Sequence, residues 1–155
     1  MNAVLVDPSL YTAPYDAALT GGLLAAGVRP AWATRPLRRG DRQEIPAECT
    51  DAFFYRRVDE ARWLPGPLRP LAMGCALAAG VARLLGKIRR ERPDVVHVQW
   101  VVLPLIDTVA MALIRRWCPL VLTMHDTVAY NGQKMPWLQR AGYTLPAKLA
   151  HQVIV

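Results

Sequence analysis

Apolar positions along the chain fall into two kinds of run. Short blocks rich in β-branched residues alternate with longer stretches in which apolar residues return every three or four positions. The blocks are Asn2–Asp7, Arg29–Thr34, Ala52–Arg56, Asp94–Trp100, Leu120–His125 and Gln152–Val155, each of strand length. The longer stretches predict helices over Ala17–Ala26, Leu71–Arg90, Pro104–Trp117 and Pro136–Leu149. Asp16 is placed to cap the first helix and Gly27 to close it. Pro8, Ser9 and Pro14 mark the loop before it, Pro104 suits a first helical turn, and Pro146 predicts an interruption or kink in the last helix. Asn131-Gly132 signals a turn. Arg35–Thr50 is polar, rich in Arg, Pro and Gly, and reads as a mobile loop. Gly21 and Gly22 fall inside the first helix, where a close helix–strand contact is the expected reason for one of them.

The order is β-α-β-β-α-β-α-β-α-β. It predicts an α/β fold, a doubly wound and Rossmann-like parallel sheet of about six strands in three layers, with strand order 3-2-1-4-5-6. The stretch Pro93–Asp126 organises this reading, because it spells strand, crossover helix and parallel strand without interruption. In such a sheet ligands bind outside the carboxyl ends of the strands at the point where the order reverses. The loop Pro8–Asp16 and the ends of the fourth and fifth strands then border one crevice.

Composition narrows the class. The chain has 155 residues, 53% of them hydrophobic, which suits one folded domain or part of a larger protein. The formal net charge is +7, carried mostly by Arg in the clusters Arg35–Arg42, Arg56–Arg69 and Arg83–Arg92. An Arg-rich solvated surface accounts for this; so does attraction to phosphate on a nucleotide or an anionic lipid. No nucleic-acid-binding motif accompanies the charge, so nucleic acid is not an expected partner. The three cysteines are widely spaced and give neither a disulfide framework nor a zinc pattern, which fits reduced thiols in a cytoplasmic protein. The N-terminus has no signal-peptide pattern. Leu71–Leu85, broken by Arg83, is too short to span a bilayer, so the protein is expected to be soluble or to lie on a membrane surface. A strand-like block at the very end suggests a chain cut from a longer protein.

No GxGxxG follows the first strand, and neither GxxxxGK[ST] nor GxSxG occurs. These absences count against hydride transfer, P-loop NTP hydrolysis and α/β-hydrolase chemistry. The histidines lack zinc spacing, and no metal site is expected. His125 with Asp126 is the strongest local signal: an imidazole at the end of a buried strand can hydrogen-bond a ligand or exchange a proton. A core histidine bonded to a loop carbonyl is the alternative. His97 alternates with apolar residues two positions before Gln99 and reads first as a buried, hydrogen-bonded histidine, with a ligand contact as the alternative. His151 is read as structural. Asp7 ends the first strand and suits a loop-capping role. Tyr15 and Asp16 lie at the first strand–helix junction, where free backbone N–H groups attract anions but the Asp16 carboxylate repels them; a neutral polyhydroxyl ligand fits that mouth better.

The segments VLVDPSLYTAPYDAAL, PDVVHVQW, and CPLVLTMHDTVAYNG followed by LAHQVIV resemble the N-terminal domain of family 4 glycosyltransferases. The resemblance covers nearly the whole chain. It implies the GT-B architecture of two Rossmann-like domains facing a cleft, with residues 1–155 as the acceptor-side domain and the donor domain absent. It implies transfer of a sugar from a nucleotide-sugar co-substrate to a saccharide or lipid-linked acceptor, usually with retention and without a catalytic metal or other cofactor. By resemblance His125 lies beside the transferring sugar as the catalytic residue; Tyr15, Asp16, His97, Trp100 and Asp126, from their places at the strand exits and the first strand–helix junction, are expected around the substrate. Two features depart from the family. The loop after the first strand lacks its glycines, and no pair of glutamates has the ExxxxxxxE spacing of the donor site. These residues alone are therefore expected to be inactive. A basic helix over Leu71–Arg92 is expected to favour an anionic membrane, which would place the protein at its cytoplasmic face. A non-catalytic Rossmann-like or flavodoxin-like binding module is the alternative function.

Overall fold

A computed structural model describes residues 1–56, 58, 61, 65–125 and 141–155. Six strands form one sheet, all parallel, in the order β3-β2-β1-β4-β5-β6. They are β1 (Asn2–Asp7), β2 (Arg29–Thr34), β3 (Thr50–Ala52), β4 (Val95–Val98), β5 (Leu120–Thr123) and β6 (Gln152–Ile154). The helices are α1 (Ala13–Ala25), α2 (Arg69–Glu91), α3 (Pro104–Ile114) and α4 (Leu145–Leu149). This is the expected α/β, three-layer, doubly wound sheet with the expected strand order.

β1 shows why the sheet has two cores. Its side chains alternate between faces, and five of its six residues are buried. Ala3 and Leu5 pack with Trp32 and with Leu19 and Leu23 of α1, whereas Val4 and Val6 pack with the inner faces of α2 and α3. Trp32 is fully buried, and its indole N–H donates to Thr20 Oγ1 of α1 at 2.7 Å, so the one polar atom of the largest core side chain is satisfied. α1 closes as predicted at Gly27, whose φ of +72° suits a residue without Cβ; Gly27 N–H and Val28 N–H turn back to the carbonyls of Leu24 and Leu23.

Several local expectations are corrected. The third strand is Thr50–Ala52, not Ala52–Arg56, because Phe53 and Phe54 both donate their N–H to Thr34 O and the chain then turns through Tyr55 at φ +53°. That turn drops the Phe54 ring into the core against α2. α1 begins at Ala13, with Pro14 in its first turn; Thr12 occupies the cap position, and Asp16 sits inside the helix, facing inward. Pro146 sits in the first turn of α4, which begins at Leu145 after turn residues 141–144, in line with the expected interruption there. A Cβ at Gly21 or Gly22 would meet nothing within 4 Å, so no close helix–strand contact explains either glycine. The loop after β2 is anchored: Arg35 is buried, and its guanidinium donates to Ser9 O, Pro36 O and the Asp41 carboxylate. Finally, Gly66–Glu91 forms 26 residues of helical chain that by length and composition could cross a membrane, contrary to the reading of Leu71–Leu85 as too short. Its inner stripe of Leu77, Gly80, Val81, Leu84 and Ile88 is nevertheless buried against the sheet. The Asn131-Gly132 turn, the start of the helix expected from Pro136, and Asp126 lie outside the described residues.

Candidate functional site

The parallel register brings the exits of β1, β4 and β5 to one rim. β4 ends at Val98, and Gln99 N–H still donates to Val6 O at 2.9 Å, so Trp100 emerges directly above β1. β5 ends at Thr123, and Met124 N–H donates to Ile154 O of β6 at 2.8 Å, leaving His125 as the first residue past the sheet. α1 brings Tyr15 to the same place.

The three rings pack together. The His125 imidazole lies nearly parallel to the Trp100 indole, with centroids 4.6 Å apart and an interplanar angle of 16°. Tyr15 meets it edge-on, at 5.4 Å and 87°. Tyr11 covers Trp100 at 5.4 Å. The imidazole orientation is therefore set by packing on two sides. Its Nε2 is buried and, among the described residues, has no hydrogen-bond partner. Gln99 Oε1 is in the same condition. Both residues line a cavity of about 30 Å³ whose walls include Thr123, Met124, Tyr143 and Pro146. That volume suits a water and is far too small for a sugar ring, so a ligand would have to lie over its mouth. Buried polar atoms without partners are costly and uncommon in stable cores, and both of these belong to residues that line one water-sized cavity.

Beneath the rings lies a layer of fixed polar groups. His97 Nε2 is 2.8 Å from Thr123 Oγ1, and the Gln99 amide nitrogen is 3.3 Å from Nε2. Burial, aided by the nearby charge of His125, pushes the His97 pKa down to about 4, so this ring is neutral near pH 7. His97 thus supports Gln99 and the end of β5 from inside the sheet. His151 is structural in the same sense, its Nδ1 accepting Leu120 N–H at 3.0 Å.

A second chain of bonds holds Trp100 from the β1 side. Asp7 is fully buried and its carboxylate accepts Ser9 N–H at 3.1 Å and Thr12 N–H at 3.5 Å, which fixes the loop as a cap would. Thr12 Oγ1 accepts the Trp100 indole N–H at 3.0 Å and donates to Asp16 Oδ1 at 3.4 Å. Asp16 Oδ2 finds no donor, and the remaining neighbour is the Asp7 carboxyl. Two buried carboxyls in hydrogen-bond contact cannot both be ionised cheaply. Burial, then the Asp7 charge, pushes the Asp16 pKa up to about 8, and burial raises Asp7 as well. The pair therefore holds a proton at neutral pH and is best treated as a unit.

Of the residues proposed from sequence, the fold brings Tyr15 and Trp100 each against His125 and sets His97 one layer below them. Asp16 does not reach the mouth: it is fully buried and acts through Thr12. Tyr11, Thr12 and Gln99 were not singled out from sequence as substrate contacts. A tyrosine–threonine pair on the first loop of an open parallel sheet was the signal available for the first two.

A family model described as Glycosyltransferase Family 4 matches residues 17–155, all but the first turn of α1 and the strand and loop before it. No curated protein matches the chain.

Proposed function

The chain belongs to glycosyltransferase family 4, and we propose that it forms the acceptor-side half of an enzyme that moves a sugar from a nucleotide-sugar to a saccharide or lipid-linked acceptor. The observation that carries this reading is the His125 imidazole, clamped between Trp100 and Tyr15 at the switch-point rim, with a buried ring nitrogen that has no partner among the described residues. In this role His125 hydrogen-bonds a hydroxyl of the sugar in transit. The aromatic faces of Trp100, Tyr11 and Tyr15 supply an apolar wall for the C–H face of a sugar ring. Neutral His97, bonded to Thr123 and contacted by Gln99, keeps the end of β5 in place beneath the ring. Donor recognition falls to groups outside these residues, a proposal supported by the absence of any glutamate pair at the ExxxxxxxE spacing.

In an enzyme carrying both domains, His125→Ala should lower turnover by roughly 10²-fold, with the folded circular-dichroism spectrum and Tm retained. Turnover equal to the parent's would remove His125 from the chemistry. The 155 residues by themselves should release no nucleotide from a nucleotide-sugar above background.

The same proposal extends to an anionic membrane surface at the cytoplasmic face. The outward side of α2 exposes Leu71, Cys75, Ala78, Ala79 and Ala82 and then turns basic at Arg83, Arg89 and Arg90, a sequence of apolar then cationic groups that suits a helix lying in a lipid interface. Lys87 is not free for this, since it pairs with Asp51 and Glu91 at 3.0 Å each, and the exposed Arg90 also pairs with Glu91 at 3.1 Å. Sedimentation with phosphatidylglycerol vesicles but not with phosphatidylcholine vesicles is the expected result; equal partition between the two would refute the membrane clause.

A further inference from the structure

The rim that carries the aromatic site does not end at α1. On the far side of its first turn a groove of about 330 Å³ runs between the β1–α1 loop and the chain after β2. It continues into a second hollow of about 320 Å³ that shares its walls. Together they have the dimensions of a small-molecule site, and they open at the carboxyl ends of β2 and β3, where an open parallel sheet binds ligands.

The chemistry of the walls selects the ligand class. Leu10, Ala13 and Leu37 line both hollows, and Ile45 the first. Arg35 is also a wall, but its guanidinium is committed to Ser9 O, Pro36 O and Asp41, which neutralises it. The exposed rim groups are Arg42 and Glu44, and both line both hollows. Neither side chain has a hydrogen-bond or ion-pair partner among the described residues. One five-donor cation and one carboxylate acceptor therefore face the same opening, with no net charge between them. An anion would gain from Arg42 and lose to Glu44. A ring of hydroxyls can accept from the guanidinium and donate to the carboxylate while its C–H face covers the leucines.

We propose that this groove is an acceptor subsite that binds a neutral sugar unit one step removed from the reacting one. The proposal rests on the sugar-transfer reading above and deepens it: the acceptor is a saccharide of at least two units. Ala13 and Tyr15 are two residues apart on the wall between groove and crevice, at most about 7 Å along the chain. One linked pair of sugars can therefore straddle the first turn of α1, one unit over Trp100 and His125 and its neighbour on Leu10 and Leu37.

The test is a titration of the ¹⁵N-labelled chain with glucose, galactose, mannose and N-acetylglucosamine, with a disaccharide of each, and with inorganic phosphate. A disaccharide should shift both the Trp100 indole N–H and the backbone amides of residues 37–45, and bind at least fivefold more tightly than its monosaccharide. Arg42→Ala and Glu44→Gln should each remove that gain and leave the Trp100 response intact. Sugar shifts confined to Trp100 would overturn the groove and leave the transfer reading standing. Groove amides that answer to phosphate and to no sugar would make it an anion site and overturn the proposal. No response to any sugar at either place would sink both readings together.

Discussion

Replacing Asp16 with Asn tests the buried carboxyl pair. In the unfolded chain Asp16 loses its proton near pH 3.8, whereas in the fold it keeps it to about pH 8. A carboxyl whose pKa is raised by folding contributes stability that is complete below the unfolded value and is lost as pH climbs through the folded one. One proton bound only by the native state corresponds to about 1.4 kcal/mol per pH unit. Between pH 5 and 7 the parent chain should thus lose roughly 2.7 kcal/mol through this group alone. Asn at position 16 can still accept from Thr12 Oγ1 and donate to Asp7, so it imitates the protonated acid and does not titrate. Its stability relative to the parent should rise by about 1.4 kcal/mol for each unit from pH 5 to 7 and level off above pH 8. Urea unfolding followed by tryptophan fluorescence at pH 5, 6, 7 and 8 measures this, with Trp32 and Trp100 as reporters on the two sides of α1. A constant difference across the range would show that the pair holds no proton and that the chain of bonds to Trp100 has been misread. The consequence for function is direct, since this pair anchors Thr12, Thr12 anchors Trp100, and Trp100 orients His125.

Two further substitutions probe the frame. A Cβ on Gly80 would lie 2.2 Å from Phe54 Cδ1 and 2.7 Å from Cε1, in a fully buried ring; Gly80→Ala should therefore cost about 1–3 kcal/mol despite its better helix propensity, as measured by urea midpoints. Gly86→Ala on the same helix meets nothing within 4 Å and should instead stabilise by up to about 1 kcal/mol; equal effects would mean that α2 does not sit on Phe54 as described. Asp107 Oδ2 accepts Val102 and Leu103 N–H at 2.7 and 2.8 Å at the start of α3, while burial pushes its pKa up to about 7. Asp107→Ala should cost about 1–3 kcal/mol by orphaning both donors, and Asp107→Asn, which keeps the acceptor, should match or exceed the parent at pH 8, where the parent's buried carboxylate is charged. An Asn variant as weak as Ala would refute the capping role.

Strand count and parallel pairing were legible in the sequence from local periodicity, and the strand order from the prior that a doubly wound fold sets. Blocks such as Asn2–Asp7 and Leu120–Thr123 are apolar on both faces, which only a sheet covered on both sides tolerates, and the helical stretches between them leave little choice but parallel crossovers. The meeting of Tyr15, Trp100 and His125 was legible in outline for the same reason, as strand exits in a doubly wound sheet share a rim. What periodicity could not supply was the direction of individual side chains. Asp16 looked like a cap open to ligand and is buried, because α1 starts four residues earlier than its apolar pattern, at Ala13. The proton shared with Asp7, the Thr12–Trp100 bond across 88 positions of sequence, and the groove walled by Leu10 and Leu37 are all contacts between distant segments. Period and propensity are properties of neighbours along the chain; orientation, burial and pKa are set by neighbours in space, and only the folded sheet brings those together.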